Sequence, residues 1–294
     1  MSLIKGIYAS SMSVLNEDLT LNIEKTIKHA EMVIDQGCYG VAMFGSTGQA
    51  QLISISEKIN LLNQLSLSKY KKKYIIGTGL NSLSETINLL RIAKSLEFVK
   101  FLIMPPAYYQ YGDKQVFDFY SKLIEAIPES KIVLYNFEKL CGYRFSVECV
   151  EELVKKFPEQ IVGVKDSSYN LFENLKLENF SILPGSESKL LKGLELGCSG
   201  IITATCNVTA ELARKVYDDF ITQNEQTVNQ KLCDVRSSFE KYNLISGLHT
   251  YFGKYNQSYM NVLPPLNTLN SQDEKELIKN LEKLNFSIKS LMAA

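Results

Sequence analysis

The sequence predicts an α/β protein of the (β/α)8 TIM-barrel class with an appended C-terminal helical region. Three observations carry that expectation. Short apolar runs recur along the chain, each followed by a longer segment of helical spacing, a strand-helix repetition eight times over. The runs are apolar nearly throughout instead of alternating, as strands covered on both faces are. The GxGxxG fingerprint of an open doubly wound sheet, the alternative architecture, is missing after the first run.

The predicted strands are Gly6–Ala9, Tyr39–Phe44, Tyr74–Thr78, Phe101–Met104, Ile132–Tyr135, Ile161–Lys165, Ser181–Leu183 and Gly200–Thr203. Helical spacing falls in Leu21–Gln36, Ser56–Leu67, Ser82–Leu96, Gln115–Ile127, Ser146–Lys156 and Lys189–Leu196. These units give a barrel over residues 1–222. Residues 223–294 form a helical extension packed on it, with helices expected in Gln226–Tyr242 and Gln272–Leu291. Leu263-Pro264-Pro265-Leu266 marks an extended connector between the two.

Composition narrows the function classes. Lys+Arg and Asp+Glu are both 32, so no net charge favours nucleic acid or an anionic membrane. No apolar run is long enough to span a bilayer, and Met1–Ser10 lacks the apolar core of a signal peptide. The six cysteines form no CxxC pair, which fits free thiols in a reducing cytoplasm better than disulfides or zinc. Two histidines supply neither a His-based metal site nor a Ser-His-Asp triad well; His29 and His249 read as surface or packing residues. A cytoplasmic setting is the resulting expectation.

The chemically suggestive residues fall at strand ends, where a barrel of this type builds its site. Lys165 ends the run Ile161-Val162-Gly163-Val164 and precedes Asp166-Ser167-Ser168. A lysine at the buried end of a strand is a nucleophile for carbonyls if its amine is neutral. That requires moving a pKa of about 10.4 toward about 7–8, at a cost to the charged form of roughly 4 kcal/mol. The plain alternative is a surface lysine snorkelling from the strand end. Tyr135, at the end of the preceding strand, is either a proton-exchanging phenol or a core tyrosine with its hydroxyl at the rim.

Gly45-Ser46-Thr47-Gly48-Gln49 after the second strand makes either an anion-binding loop or an ordinary helix-capping turn. Tyr108, Tyr109 and Tyr111 after the fourth strand suit an aromatic packing patch or a phenolic acid. Gly185-Ser186-Glu187-Ser188 after the seventh offers hydroxyls and one carboxylate for substrate, or an N-cap with a favourably placed Glu. Thr203, Thr205 and Cys206 follow as candidate pocket residues.

Taken together, Gly45-Ser46-Thr47-Gly48, Tyr135-Asn136, Val162-Gly163-Val164-Lys165-Asp166-Ser167-Ser168 and Gly185 resemble the dihydrodipicolinate synthase / N-acetylneuraminate lyase family, in order and over nearly the whole chain. The resemblance implies a (β/α)8 barrel with a helical extension and class I aldolase chemistry on pyruvate or a related 2-keto acid, with no metal or organic cofactor. It implies Lys165 as the Schiff-base lysine, Tyr135 as the main acid/base, and Ser46 as a link between Tyr135 and Tyr109. In relatives such a tyrosine enters from a neighbouring subunit, and Tyr108 is the one-residue alternative for it. Ser46 and Thr47 are implied to hold the keto-acid carboxylate, and Gly185, Ser186 and Glu187 loosely echo the acidic sugar-hydroxyl loop of the sialic-acid lyase branch with one carboxylate, while Thr203 stands as a substrate-binding candidate from its place after the eighth strand. A homo-oligomer, tetramer or dimer, is likewise implied.

The departures bear on substrate. Leu140 stands where dihydrodipicolinate synthases carry an arginine that grips the second substrate's carboxylate. Losing such a contact costs about 1.5–3 kcal/mol. Gln49, Val14 and Leu263 depart from an acid, a proline and an arginine. Lys139 and Arg144 are nearby cations. The expected activity is therefore a Schiff-base lyase or aldolase joining a 2-keto acid and an aldehyde of sugar-acid type. Dihydrodipicolinate synthase is the alternative within the family, and a catalytically silent binding or regulatory barrel the alternative outside it.

Overall fold

The computed structural model describes residues 4–288. Eight parallel strands, β1 (Gly6–Ser10), β2 (Gly40–Met43), β3 (Tyr74–Gly77), β4 (Lys100–Ile103), β5 (Lys131–Asn136), β6 (Ile161–Asp166), β7 (Ser181–Pro184) and β8 (Gly200–Thr203), run in the order β7-β6-β5-β4-β3-β2-β1-β8. The order never reverses, so there is no switch point of a doubly wound sheet. Across the β7/β8 seam the Ser199 N–H donates to the Ile182 carbonyl at 2.9 Å. The Ile4 N–H donates to Ser181 Oγ at 2.9 Å.

The strands are apolar throughout because both faces are buried. Tyr8, Ala42, Ile75, Leu102, Val133, Leu183 and Ile202 fill the inside of the barrel. Ile7, Val41, Ile76, Phe101, Ile132, Val164 and Ile201 belong to the larger core beneath the helices. Alternate side chains share a face, so Val133 and Tyr135 point inward together on β5. In the parallel register Tyr135 lies opposite Lys165, which in turn lies opposite Leu183.

The outer helices are α1 (Ile23–Asp35), α2 (Ile55–Leu65), α3 (Leu83–Ser95), α4 (Asp113–Ala126), a single turn α5 (Glu138–Cys141), α6 (Val147–Lys156), α7 (Leu190–Glu195) and α8 (Cys206–Ile221). Their starts are chemically marked. Asn22, Ser54, Ser82 and Ser146 each accept a backbone N–H three residues on, and Ser54 completes a capping box with Glu57. After α8 come α9 (Asn229–Glu240), α10 (Leu244–Gly253) and α11 (Ser271–Lys283). Val235, Phe239, Leu248, Phe252, Leu277 and Leu281 from these helices pack against Met12, Val14 and Val208 of the barrel.

Three details differ from expectation. No helix separates β6 from β7 among the described residues. Instead, the buried Asp166 carboxylate accepts the N–H groups of Tyr169, Leu171 and Phe172, each at 2.9 Å, and holds the connection in turns. Helix α10 has no counterpart among the expected helices: Ser246–Phe252 is buried all round, so it shows no polar face to betray a helical period. The last helix stops at Lys283 instead of continuing toward Leu291; residues 289–291 lie outside the described residues.

Candidate active site

Strand alternation delivers Lys165 into the barrel mouth. Its side chain is only 3% exposed, and Nζ lies 4.2 Å from the centroid of the Tyr135 ring. No carboxylate pairs with it among the described residues. Tyr135 is similarly buried, and its hydroxyl shares a 3.1 Å hydrogen bond with Ser46 Oγ. Ser46 and Thr47 open a single 3-10 turn, Ser46–Gly48, directly after β2. The first N–H groups of such a turn have no partner within it. The loop sits hard against β1: a Cβ on Gly45 would lie 2.4 Å from Ser10 Oγ, so a larger residue there would push that hydroxyl aside.

Lys165, Tyr135, Ser46, Thr47 and Gly185 line one cavity of about 610 Å³, together with Ser167, Ser168 and Tyr169 from the turns after β6. Gly185 is required by close approach, because a Cβ there would lie 2.2 Å from Ser167 Oγ. Beside this cavity is a more apolar hollow of about 210 Å³ walled by Phe44, Leu52, Leu102, Met104 and Leu266, and both share Ser46, Tyr135, Leu140 and Ile245. Leu140 thus faces both spaces and brings no charge to either. Lys139 reaches the rim of the larger cavity, whereas Arg144 pairs with Glu138 at 3.7 Å.

The remaining candidates are placed elsewhere. Tyr109 is 73% exposed and Tyr108 89%; their rings meet edge to face, and neither lines the cavity of its own chain. Asn81 Oδ1 anchors that loop by accepting the Ala107 N–H at 2.9 Å. Ser186, Glu187 and Thr203 lie behind the cavity wall. Glu187 is wholly buried, with Oε2 held by Thr203 Oγ1 at 2.8 Å and Arg236 Nη1 at 3.2 Å, and Oε1 by Thr209 Oγ1 at 3.1 Å. A carboxylate so committed is a partner for a buried cation and not for substrate hydroxyls. Thr203 and Thr205 also accept from Arg236, both at 3.0 Å. Burial raises the Cys206 thiol well above its ordinary range, so it is inert.

Arg236 is the site residue that inspection of strand ends missed. It comes from α9, outside the barrel units, and lines the cavity beside Glu240. Burial by itself would lower its pKa, but the Glu187 and Glu240 carboxylates outweigh that and hold the guanidinium above its ordinary value. A signal did exist: Leu232, Val235, Arg236 and Phe239 share one buried helix face, and an arginine in an apolar stripe needs a buried partner. The two histidines are structural. His29 joins Tyr259 at 2.9 Å and Asn207 at 2.8 Å, and His249 joins the Tyr259 carbonyl at 2.7 Å.

The model of the dihydrodipicolinate synthetase family covers residues 3–284. The chain belongs to the dihydrodipicolinate synthetase family. A protein named "Uncharacterized DapA-like lyase" from Chloroflexus aurantiacus is 28% identical over 224 residues, 74% of this chain and 75% of that one. The crystal structure of YagE from E. coli K12, in complex with pyruvate, superposes with a TM-score of 0.88 at 19% identity, covering 97% of this chain and 100% of that one. A doubly substituted variant of 2-keto-3-deoxygluconate aldolase from Sulfolobus solfataricus superposes with a TM-score of 0.83 at 21% identity, covering 95% and 96%. Members of the dihydrodipicolinate synthetase family are lyases, and this chain is an enzyme of that class I aldolase type. No helix among the described residues is long and apolar enough to cross a membrane.

Proposed function

We propose that this lyase forms a Schiff base between Lys165 and pyruvate, or a related 2-keto acid, and makes or cleaves a C–C bond to an aldehyde. The observation that carries this reading is the buried Lys165 Nζ lying 4.2 Å from the Tyr135 ring, whose hydroxyl meets Ser46 at 3.1 Å. The amine attacks C2 of the keto acid, and the carbinolamine loses water to give a protonated imine. That cation draws electrons from C3, which loses a proton to form an enamine, and the enamine carbon attacks the aldehyde. Hydrolysis returns the free lysine. Tyr135 exchanges protons with the carbinolamine and aldehyde oxygens, and Ser46 relays them. Ser46 and Thr47, with their amides, hold the keto-acid carboxylate. The residues in hand need no metal or organic cofactor for these steps.

Tyr109 completes the relay from a second copy of the chain. Its exposed ring, the neighbouring Tyr108 and the hollow beside Ser46 and Tyr135 support that arrangement. A homo-oligomer, dimer or tetramer, follows. The free cysteines suit a cytoplasmic setting.

Leu140 favours a sugar-type aldehyde over the carboxylate-bearing second substrate of dihydrodipicolinate synthase, since leucine offers an anion nothing. Borohydride with pyruvate should add a reduced pyruvyl group at Lys165, and Lys165→Ala should abolish both labelling and turnover while the protein stays folded. Unlabelled Lys165 in folded protein at saturating pyruvate would refute the reading. Comparing aspartate semialdehyde with sugar-type aldehydes separates the two substrate assignments.

A further inference from the structure

The cavity wall opposite the strand ends carries an unspent donor beside an unspent acceptor. Arg236 donates from Nε to Glu240 Oε1 at 2.7 Å, and its Nη1 is used by Glu187, Thr203 and Thr205. Nη2 has no hydrogen bond among the described residues, yet it is not sealed from solvent. Glu240 Oε1 takes Arg236 and, at 3.4 Å, Ser186 Oγ; Oε2 has no hydrogen-bond partner among the described residues. Both side chains line the cavity that contains Lys165. The Arg236 side chain is only 5% exposed, so its orientation is fixed before any ligand arrives.

Charge decides what this pair accepts. One guanidinium stands between two carboxylates, Glu187 and Glu240, so the group carries one net negative charge. At the rim, Glu138 pairs with Arg144 and leaves Lys139 as a cation, and Lys165 lines the same cavity beside Tyr135, so the excess negative charge is local to the Arg236–Glu240 pair. A carboxylate or phosphate on the incoming aldehyde would meet an arginine already neutralised and a glutamate that repels it. A hydroxyl fits both partners, accepting from Nη2 and donating to the Glu240 carboxylate.

We propose that Arg236 and Glu240 form the subsite for hydroxyl groups of the aldehyde, so that the enzyme selects a neutral, polyhydroxylated aldehyde over a deoxygenated or anionic one. The assignment rests on the Schiff-base reading above and adds the residues that set its second substrate. The test uses the full-length chain with pyruvate and three aldehydes: D-glyceraldehyde, propanal and succinate semialdehyde. Wild-type kcat/KM should rank glyceraldehyde first. Glu240→Gln, which keeps shape and loses charge, should reduce the glyceraldehyde-to-propanal preference roughly tenfold or more. Glu240→Ala should do at least as much. Borohydride trapping of pyruvate at Lys165 is scored in the same samples.

A wild type that does not prefer glyceraldehyde to both other aldehydes overturns the subsite. So does an unchanged preference in both Glu240 variants with trapping intact, and that result leaves the Schiff-base reading standing. Absence of trapping in the folded wild type removes both. A lowered preference carried by the KM for glyceraldehyde, with pyruvate still trapped, supports the subsite, because a structural defect would lower all substrates alike.

Discussion

If Ser46 acts on proton transfer through Tyr135, the two residues must fail together. Their single 3.1 Å hydrogen bond is the link to cut. A neutral hydrogen bond contributes about 0.5–1.5 kcal/mol, so Ser46→Ala should slow the proton-transfer step by roughly twofold to tenfold. Tyr135→Phe, which deletes the acid/base itself, should slow it by about 10²–10⁴. In the double variant Ser46→Ala should add almost nothing to the rate loss, giving a coupling of about 1 kcal/mol. The step can be watched without the aldehyde: an enamine formed from pyruvate exchanges its methyl protons with D2O, and proton NMR follows the loss of signal. Ser46 also faces the keto-acid carboxylate in the proposed mechanism, so a residual effect on pyruvate affinity should persist in the Tyr135→Phe background. Rate losses that simply multiply in the double variant would refute the relay. A near-normal exchange rate in Tyr135→Phe would remove the tyrosine from the mechanism as well.

Two further predictions concern the framework. Gly185→Ala places a Cβ 2.2 Å from Ser167 Oγ, 3.0 Å from its Cβ and 3.1 Å from its Cα, so it should destabilise the fold by about 1–3 kcal/mol in urea titrations. Adding Ser167→Ala should recover part of that loss and not all, because the backbone contact remains; an unchanged midpoint in Gly185→Ala would contradict the packing described. His29 and His249 are each lowered by burial to about 4, well below their ordinary 6.5. Because the folded state disfavours their protonation, the stability they contribute is present above pH 6.5 and drains away as pH falls toward 4. Each should cost about 2 kcal/mol by about pH 5. Urea midpoints should therefore fall between about pH 7.5 and 5, and His29→Gln should flatten that slope; a level profile over this window would contradict the burial of both rings.

What the sequence disclosed and what it hid follow one division. Strands with two buried faces write themselves as unbroken apolar runs, and Lys165 is conspicuous because it interrupts one. The helix start at Ser82 is legible because its cap acts locally, three residues on, whereas the cap at Ser54 precedes the expected start at Ser56. The failures come from contacts that leave no periodic mark in the sequence. Asp166 replaces a helix with turns by gathering three amides, an arrangement with no periodic signature. Helix α10 hides because its neighbours cover every face. Glu187 looks available to substrate in the sequence because its partner lies 49 residues away in a helix beyond the barrel.

That last pairing explains why the appended helices belong to the chemistry of the mouth. From β8 and α8 Glu187 receives the hydroxyls of Thr203 and Thr209, and these do not offset a fully buried carboxylate. The compensating charge must come from outside the strands, and α9 supplies it with Arg236. Once Arg236 is fixed by Glu187 on one side and Glu240 on the other, its remaining edge belongs to the cavity. The stretch of chain that neutralises the β7 glutamate therefore also shapes what the enzyme accepts. Substrate preference in this barrel is accordingly open to change by substitutions in α9, while Lys165 and Tyr135 on the strands stay untouched.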